Sequence, residues 1–238
     1  MKKSIVYPGV IIVVVIVVLL AVLIPRWVGG KYGEVRGEAV DALSGDPVWK
    51  IRIVVGGKST LKYRYPTKTY YLTDIEPGSY TLEAVAPNYY DFSKDIQVKR
   101  GENILDISMK GKEIPDLQSI IVFSESLENG IELEIRLVNS KGEGITEFPA
   151  LSLSLEGTLW ARIGTEEEYV KGRKILEGPI ELFWDSDAFL ARNKAIIPWE
   201  KIKIDRETEK LGILELTLHT PQGDFGDMID DVQLYKEK

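Results

Sequence analysis

Cysteine is absent from this 238-residue sequence, and histidine occurs once, at His219. Without cysteine the chain has no disulfide, no thiolate metal site, no cysteine nucleophile and no lipid-modified N-terminal cysteine. A zinc peptidase needs clustered His and Glu ligands, and a Ser-His-Asp triad could use only His219. The sequence therefore indicates a protein that is not an enzyme, and its fold must be stabilised by its hydrophobic core.

Two short motifs resemble parts of nucleotide-binding sites, but neither motif is complete. Residues 56–60 (GGKST) are similar to the end of a phosphate-binding loop, but the first glycine of that loop would fall at Arg52 and no helix is predicted to follow. Residues 224–226 (DFG) match a kinase triplet, but the glycine-rich loop and the catalytic loop are missing. We therefore predict a hairpin turn at Gly56 and Gly57 and a turn at residues 224–226.

Charge is distributed unevenly along the chain. Residues 31–110 carry twelve basic and eleven acidic side chains, whereas residues 111–238 carry fifteen basic and twenty-six acidic ones. This acidity argues against nucleic acid or an anionic lipid surface as the partner of the second part. The abundance of Lys and Glu, with few Asn and Gln, is also typical of proteins from thermophiles.

The longest uncharged stretch covers residues 4–25, and its centre, residues 10–24, consists only of Val, Ile, Leu and Ala. Twenty-two residues at about 1.5 Å each span roughly 33 Å, which is enough to cross a hydrocarbon core of about 30 Å. We predict that residues 1–30 form a signal-anchor transmembrane helix with its flanks, and that residues 4–25 contact the membrane.

The charges that flank this run set the expected orientation. Lys2 and Lys3 precede it, and Arg26 and Lys31 follow it, which gives a slight positive-inside bias. We therefore expect a single-pass protein of the cell membrane with residues 30–238 outside the cytoplasm. Cleavage after Gly30 is the alternative, and the length of the apolar run argues against it.

Period-two alternation of apolar and polar residues predicts that the rest of the chain is built of strands. The clearest examples are residues 131–137 (IELEIRL), 151–156 (LSLSLE) and 214–219 (LELTLH). One helix is predicted outside the membrane, at residues 187–193, with Asp185 or Ser186 as its cap. The change in composition near Gly111 predicts a domain boundary, so we expect a proximal segment (residues 31–111) and a distal segment (residues 112–238).

The proximal segment contains a recognisable order of turns and strands. Residues 33–41 (GEVRGEAVD) are followed by the turn 44–48 (SGDPV), and residues 71–84 (YLTDIEPGSYTLEA) by 86–89 (APNY). Over residues 33–110 this resembles the carboxypeptidase regulatory-like domain, a transthyretin-like sandwich of seven strands. Asn88 stands where the family usually has glycine, and asparagine also tolerates the left-handed backbone region.

The resemblance implies a fold and a type of role, but no catalytic residues. Domains of this family commonly stabilise, space or bind beside a catalytic domain or a membrane component. The expected architecture is therefore mainly β: a transmembrane helix followed by two β-sandwiches, the first transthyretin-like and the second, of unassigned family, immunoglobulin-like or jelly-roll-like.

Two groups of residues are candidate sites. Asp224, Asp227, Asp230 and Asp231 could offer oxygen ligands to calcium, although a solvated acidic loop is the simpler interpretation and no other cofactor is indicated. In the series Lys-Tyr-Arg-Tyr, the residues Tyr63, Arg64 and Tyr65 could form a partner-binding surface if both rings share one exposed face. Packing of the same rings in the core is the alternative.

The sequence thus favours a membrane-anchored binding or scaffold protein that displays two β-sandwiches outside the cytoplasm. The expected partner is a protein, a component of the cell envelope or a glycan, and not nucleic acid. The alternative is an accessory subunit of a membrane peptidase or transporter complex, in which the anchor packs against partner helices. The anchor has no GxxxG pair and no polar residue at its centre, which favours simple tethering.

Overall fold

The computed structural model describes residues 31–60, 68–165, 168–205 and 207–235. These residues form strands joined by turns and loops, with one short 3-10 helix at Trp199–Lys201. No helix within the described part of the chain is long and apolar enough to cross a membrane. The span predicted at residues 4–25 lies outside it, as do Tyr63, Arg64 and Tyr65.

Eight strands belong to the proximal segment. They are β1 (Gly33–Asp41), β2 (Arg52–Val55), β3 (Lys58–Ser59), β4 (Thr69–Ile75), β5 (Gly78–Val85), β6 (Phe92–Val98), β7 (Gly101–Ile104) and β8 (Ile107–Met109). One sheet has the order β4-β1-β7, with β8 also paired to β1, and the other has the order β3-β2-β5-β6. Both sheets bury side chains in one common core, so the proximal segment is a two-sheet sandwich.

Eight further strands form the distal segment. They are β9 (Leu117–Ser126), β10 (Gly130–Asn139), β11 (Ser154–Gly164), β12 (Tyr169–Ile180), β13 (Leu182–Trp184), β14 (Asn193–Pro198), β15 (Leu211–Thr220) and β16 (Gly223–Gln233). The two sheets have the orders β13-β14-β10-β9 and β12-β11-β15-β16, and they face a second, separate core. The prediction of a mainly β chain with several facing sheets is confirmed.

The alternation read from the sequence defines the faces of these sheets. In β10 the apolar residues Ile131, Leu133, Ile135 and Leu137 are buried, and the intervening charged residues point outward. Leu214, Leu216 and Leu218 of β15 do the same. The predicted hairpin turn at Gly56–Gly57 is also confirmed, because Val55 pairs with Lys58 across these two glycines.

Three local predictions are wrong. Residues 187–193 form no helix: Asp185 Oδ1 accepts hydrogen bonds from the N–H groups of residues 187 and 188, but the chain then returns as β14 to pair with β13. Residues 224–226 lie within β16, because the hairpin turns at Pro221 and Gln222. The described proximal segment has eight strands, whereas the resemblance implies seven.

Candidate functional site at the junction of the two segments

The last residue of β1, Asp41, is a carboxylate inside the molecule, only 2% exposed. Its Oδ1 accepts hydrogen bonds from the backbone N–H groups of Leu43 (2.8 Å) and Ser44 (3.0 Å). This is the local arrangement by which an aspartate initiates a turn, and Gly45 completes the turn with a φ of 75°. The turn is therefore specified by the sequence 41–45 itself.

The second oxygen of Asp41 joins the two segments. Asp41 Oδ2 accepts a hydrogen bond from the hydroxyl of Tyr89 (3.0 Å), in the proximal segment, and one from the backbone N–H of Ala150 (3.0 Å), in the distal segment. Burial, and then the charge of Asp41, raise the pKa of Tyr89. The phenol therefore stays protonated and donates at any physiological pH, and all four contacts of the buried carboxylate are donors.

Further contacts across the junction surround Asp41. The indole Nε1 of Trp184 donates to Asp46 Oδ2 (2.8 Å), and Lys50 Nζ lies 2.5 Å from Glu147 Oε2. Gly111 fits closely against the distal segment: a Cβ at this position would lie 2.8 Å from the carbonyl oxygen of Ala150. The junction is thus hydrogen-bonded and closely packed.

Beside these contacts lies a cleft of about 200 Å³, which we call the junction cleft. Three of its lining residues, Trp49, Tyr89 and Phe148, are aromatic, and the others include prolines and charged residues. The complete lining is Trp49, Lys50, Pro87, Asn88, Tyr89, Pro115, Glu147, Phe148, Pro149 and Arg192. The cleft therefore combines flat apolar faces with hydrogen-bond donors and acceptors, as small-molecule sites do.

Arg192 is a polar residue of this lining that has an unpaired donor. Its guanidinium lies over the ring of Trp184, 5.6 Å from the ring centroid, and Trp184 packs edge-on against Phe148 at 5.4 Å. In the described part of the chain its buried Nε has no hydrogen-bond partner. A buried N–H without an acceptor costs stability, so Arg192 is an exception to the rule that buried polar groups are hydrogen-bonded.

The backbone of the cleft contains two residues in the left-handed region. Asn88 has a φ of 64°, as its place in the predicted turn requires, and Lys50 has a φ of 55°. This conformation is tolerated by asparagine but is uncommon for a long side chain such as lysine. Such backbone strain accumulates at functional sites, where it directs a side chain that an ordinary backbone would not place there.

The four aspartates proposed as calcium ligands lie along β16 and have different partners. Asp224 pairs with His219, Asp227 Oδ2 accepts from the N–H of Val122 (2.7 Å), and Asp230 accepts from the hydroxyl of Tyr169. Asp231 is exposed. Among the residues that the structure describes, no group of three or more His, Cys, Asp or Glu side chains could hold a metal ion.

The residues of the junction cleft cannot be identified from the sequence alone. The turn chemistry of residues 41–45 could be read from the sequence, but Ala150 lies 109 residues away from Asp41 and Trp184 lies 138 away from Asp46. A local sequence pattern does not show which distant segments contact each other, so this site becomes visible only in the folded structure.

Comparisons with known proteins add little to this description. No family model matches the sequence, and no curated protein is significantly similar to it. A solved structure from Bacteroides uniformis, described as a "putative carbohydrate binding protein", is 16% identical, with a TM-score of 0.30, over 84% of this chain and 100% of that one. A DUF3823 family protein from Bacteroides ovatus is 14% identical, with a TM-score of 0.28, over 85% and 99%. These TM-scores are too low to support an argument about function.

Proposed function

We propose that this protein is a membrane-anchored, non-enzymatic glycan-binding protein that receives a sugar ring in the junction cleft. The observation that carries this proposal is the lining of the cleft, in which aromatic rings stand beside both donors and acceptors of hydrogen bonds. A sugar ring presents an apolar C–H face and a rim of hydroxyls, and each hydroxyl both donates and accepts. The two kinds of wall in the cleft match these two kinds of sugar surface.

The roles of the lining residues follow from their chemistry. Trp49 and Phe148 offer apolar surface against which the C–H face can pack. The guanidinium of Arg192 donates to a ring or hydroxyl oxygen, and Glu147 accepts from a hydroxyl at the rim. A volume of about 200 Å³ lies below the roughly 300–1,000 Å³ of drug-sized sites, so the cleft suits one sugar unit of a longer chain.

The charges near the cleft favour a neutral glycan. Lys50 is already paired with Glu147. The positive charge of Arg192 lies near the carboxylates of Asp41 and Asp46, and all three charges affect the pKa of Tyr89. No net positive charge is therefore left to attract an anion. A neutral hexose uses the donor of Arg192 without adding a second negative charge to this group of carboxylates.

The remaining parts of the proposal come from the sequence. The apolar run at residues 4–25 would tether the protein, with residues 30–238 outside the cytoplasm, where envelope glycans are found. The proximal sandwich would be a carboxypeptidase regulatory-like domain, which agrees with its two facing sheets and with the left-handed Asn88. In this family such domains commonly bind or space, in agreement with a role without catalysis.

A glycan array probed with the detergent-purified full-length protein tests the proposed activity. We expect binding to neutral glycans, and we expect Trp49→Ala to weaken it at least about fivefold, because loss of a stacking ring removes about 1–3 kcal/mol. The matched control is Tyr71→Ala, which removes an exposed ring outside the cleft. Equal loss in both variants, or no binding to any neutral glycan, contradicts the proposal.

Orientation and tethering need a separate experiment. Protease added to intact cells should digest residues 31–238 while leaving the anchor in the membrane fraction. Protection of this region would contradict an extracytoplasmic location. Stoichiometric co-purification with membrane subunits, without glycan binding, would instead support the accessory-subunit alternative.

A further inference from the structure

The junction cleft lies at one end of the proximal sandwich, and the chain enters the sandwich at the opposite end. There Gly33, the first residue of β1, pairs with Ile75 at the end of β4 and with Gly101 at the start of β7. The turns that join β4 to β5 and β6 to β7 lie at the same end, since Gly78 pairs with Val98. We call this end, formed by residues 31–33, 75–78 and 98–101, the entry face.

The turn between β6 and β7 lies directly against the chain that enters β1. The carbonyl oxygen of Tyr32 accepts a hydrogen bond from the N–H of Gly101 (3.1 Å). A Cβ at Gly33 would lie 2.5 Å from the carbonyl oxygen of Lys99, so the two backbones are in close contact. The position of residue 31 therefore fixes the position of this turn.

Positive charge predominates at the entry face. Its residues include three basic side chains and one acidic side chain, that of Glu76. The three basic residues, all exposed, are Lys31, Lys99 and Arg100. The neighbouring carboxylate of Glu102 is already paired with Arg36 on β1. The entry face therefore presents a net positive charge to whatever lies beyond it.

We propose that the entry face binds anionic phospholipid headgroups through Lys99 and Arg100, an inference that rests on the anchoring of residues 4–25 in the proposed function. Residue 31 follows Pro25 by six residues, which reach at most about 20 Å in any conformation. The headgroup region beyond the hydrocarbon core is itself about 5–8 Å thick. The chain thus keeps the entry face near the headgroups, where basic side chains are attracted to anionic lipids.

Contact at the entry face would also set the height of the junction cleft above the membrane. Strand β1 runs from Gly33 at the entry face to Asp41 at the junction. Eight steps of about 3.3 Å give a separation of roughly 26 Å between these two ends. The proximal sandwich would then act as a spacer that stands on the membrane and holds the cleft away from it.

The test places the 15N-labelled full-length protein in nanodiscs of phosphatidylcholine alone, or of equal parts phosphatidylcholine and phosphatidylglycerol. Each nanodisc also contains a trace of lipid with a spin-labelled headgroup, which broadens the NMR signals of nearby amides. We expect the amides of residues 99–101 to be broadened at least about fivefold more in the anionic nanodiscs, since one basic side chain near such a surface contributes about 1 kcal/mol. Added salt should remove the difference.

Paired substitutions separate lipid binding from simple tethering. Lys99→Gln combined with Arg100→Gln should reduce the broadening at Gly101 in anionic nanodiscs to the level seen in phosphatidylcholine. The matched control is Lys201→Gln combined with Lys203→Gln, which changes the net charge equally at two exposed lysines of the distal segment. This control should leave the broadening at Gly101 unchanged.

Two results would overturn the proposal, and they differ in what else they contradict. Equal broadening at Gly101 in the two kinds of nanodisc would show that the tether alone brings the entry face near the membrane, and the proposed anchor would stand. A full-length protein that does not enter nanodiscs at all would contradict the anchor together with this proposal. Glycan binding is measured separately, in detergent, and neither result bears on it.

Discussion

The indole Nε1 of Trp184 donates a hydrogen bond to Asp46 Oδ2 over 2.8 Å. This bond joins the last residue of β13 to the turn that follows β1. The same turn is held by the bond from Ala150 N–H to Asp41, 109 residues along the chain. Because two carboxylates of one turn accept hydrogen bonds from the distal segment, this turn forms a fixed contact between the two segments. Its integrity should be visible in stability measurements.

Replacement of Asp41 by asparagine should destabilise the protein by about 1–3 kcal/mol. Both carboxylate oxygens accept from N–H groups, so the NH₂ of asparagine must face at least one backbone donor that cannot reverse its role. Urea unfolding at pH 7 measures the change. Asp95→Asn is the control, since exposed Asp95 accepts from the hydroxyl of Thr81 and this substitution should change stability by less than about 0.5 kcal/mol.

Gly111→Ala should also lower the free energy of unfolding, by about 1–3 kcal/mol. The new methyl group would lie 2.8 Å from both the carbonyl oxygen of Ala150 and Cδ2 of Leu151, so the junction must shift to admit it. In Gly226→Ala the nearest atom lies 3.5 Å away, and this variant should be neutral or slightly stabilised. Equal thermal midpoints for the two variants would show that the segments do not pack as described.

The single histidine gives a direct measurement of local electrostatics. His219 Nδ1 lies 2.8 Å from Asp224 Oδ1, and this hydrogen bond, followed by the charges of Asp224 and Glu156, raises the pKa of His219 above its ordinary value of 6.5. Because the pKa of His219 is higher in the folded protein than in the unfolded chain, protonated His219 stabilises the fold. This stabilisation is complete below about pH 6.5 and is lost as the pH rises through the raised pKa. An NMR titration of the only histidine signal should show this value, and Asp224→Asn should lower it. Titration at or below 6.5 in the original protein contradicts the geometry.

Lys194 of β14 is the shared cation of three carboxylates, two on β10 and one directly after β13. Its Nζ lies 3.2 Å from Asp185, 3.5 Å from Glu132 and 3.7 Å from Glu134, and its side chain is only 16% exposed. Lys194→Met leaves these carboxylates to repel one another and should cost about 1–2 kcal/mol at pH 7. Lys174→Met, which breaks an exposed pair with Glu177, is the control and should cost less than about 0.5 kcal/mol.

The cost of Lys194→Met should depend on pH. The hydrogen bond to Lys194 lowers the pKa of Asp185 below its ordinary value of 3.8. The stabilisation from this carboxylate is therefore present above pH 3.8 and is lost as the pH falls through the lowered pKa. Urea unfolding should show the largest deficit of the variant at neutral pH and a smaller one near pH 3. A deficit that does not change with pH would indicate lost packing instead of lost charge pairing.

Much of the sheet structure could be predicted from the sequence because it depends on near neighbours. The alternating residues of β10 and β15 each have one face on the core, and two consecutive glycines select a tight hairpin at Gly56 and Gly57. The error at residues 187–193 has a physical reason. Asp185 does accept from the first N–H groups, as a helix cap would, but Asn193 must already pair with Trp184, so no length of chain remains for a helix.

The site could not be predicted in the same way. Asp41 and Asp46 were visible as turn residues, but their partners Ala150 and Trp184 are brought to them by the packing of two sandwiches. The acidic residues of β16 formed the opposite case: Asp224, Asp227 and Asp230 are close in sequence, and the strand then gives each of them a different partner. These aspartates are close in sequence and therefore suggested a calcium site, but the strand does not bring them to one point. The residues of the junction cleft are far apart in sequence, so no local pattern indicated them.

Chemical-shift mapping of the full-length protein, titrated with a neutral sugar from the glycan that it binds, tests the proposed function most directly. The proposal predicts that the indole signal of Trp49 and the backbone amides of residues 88–89 and 147–148 shift together, with one saturation curve. Signals from the Pro221–Gln222 hairpin should stay unchanged. Shifts confined to Tyr63, Arg64 and Tyr65, or the absence of any shift at saturating sugar, would contradict binding in the junction cleft.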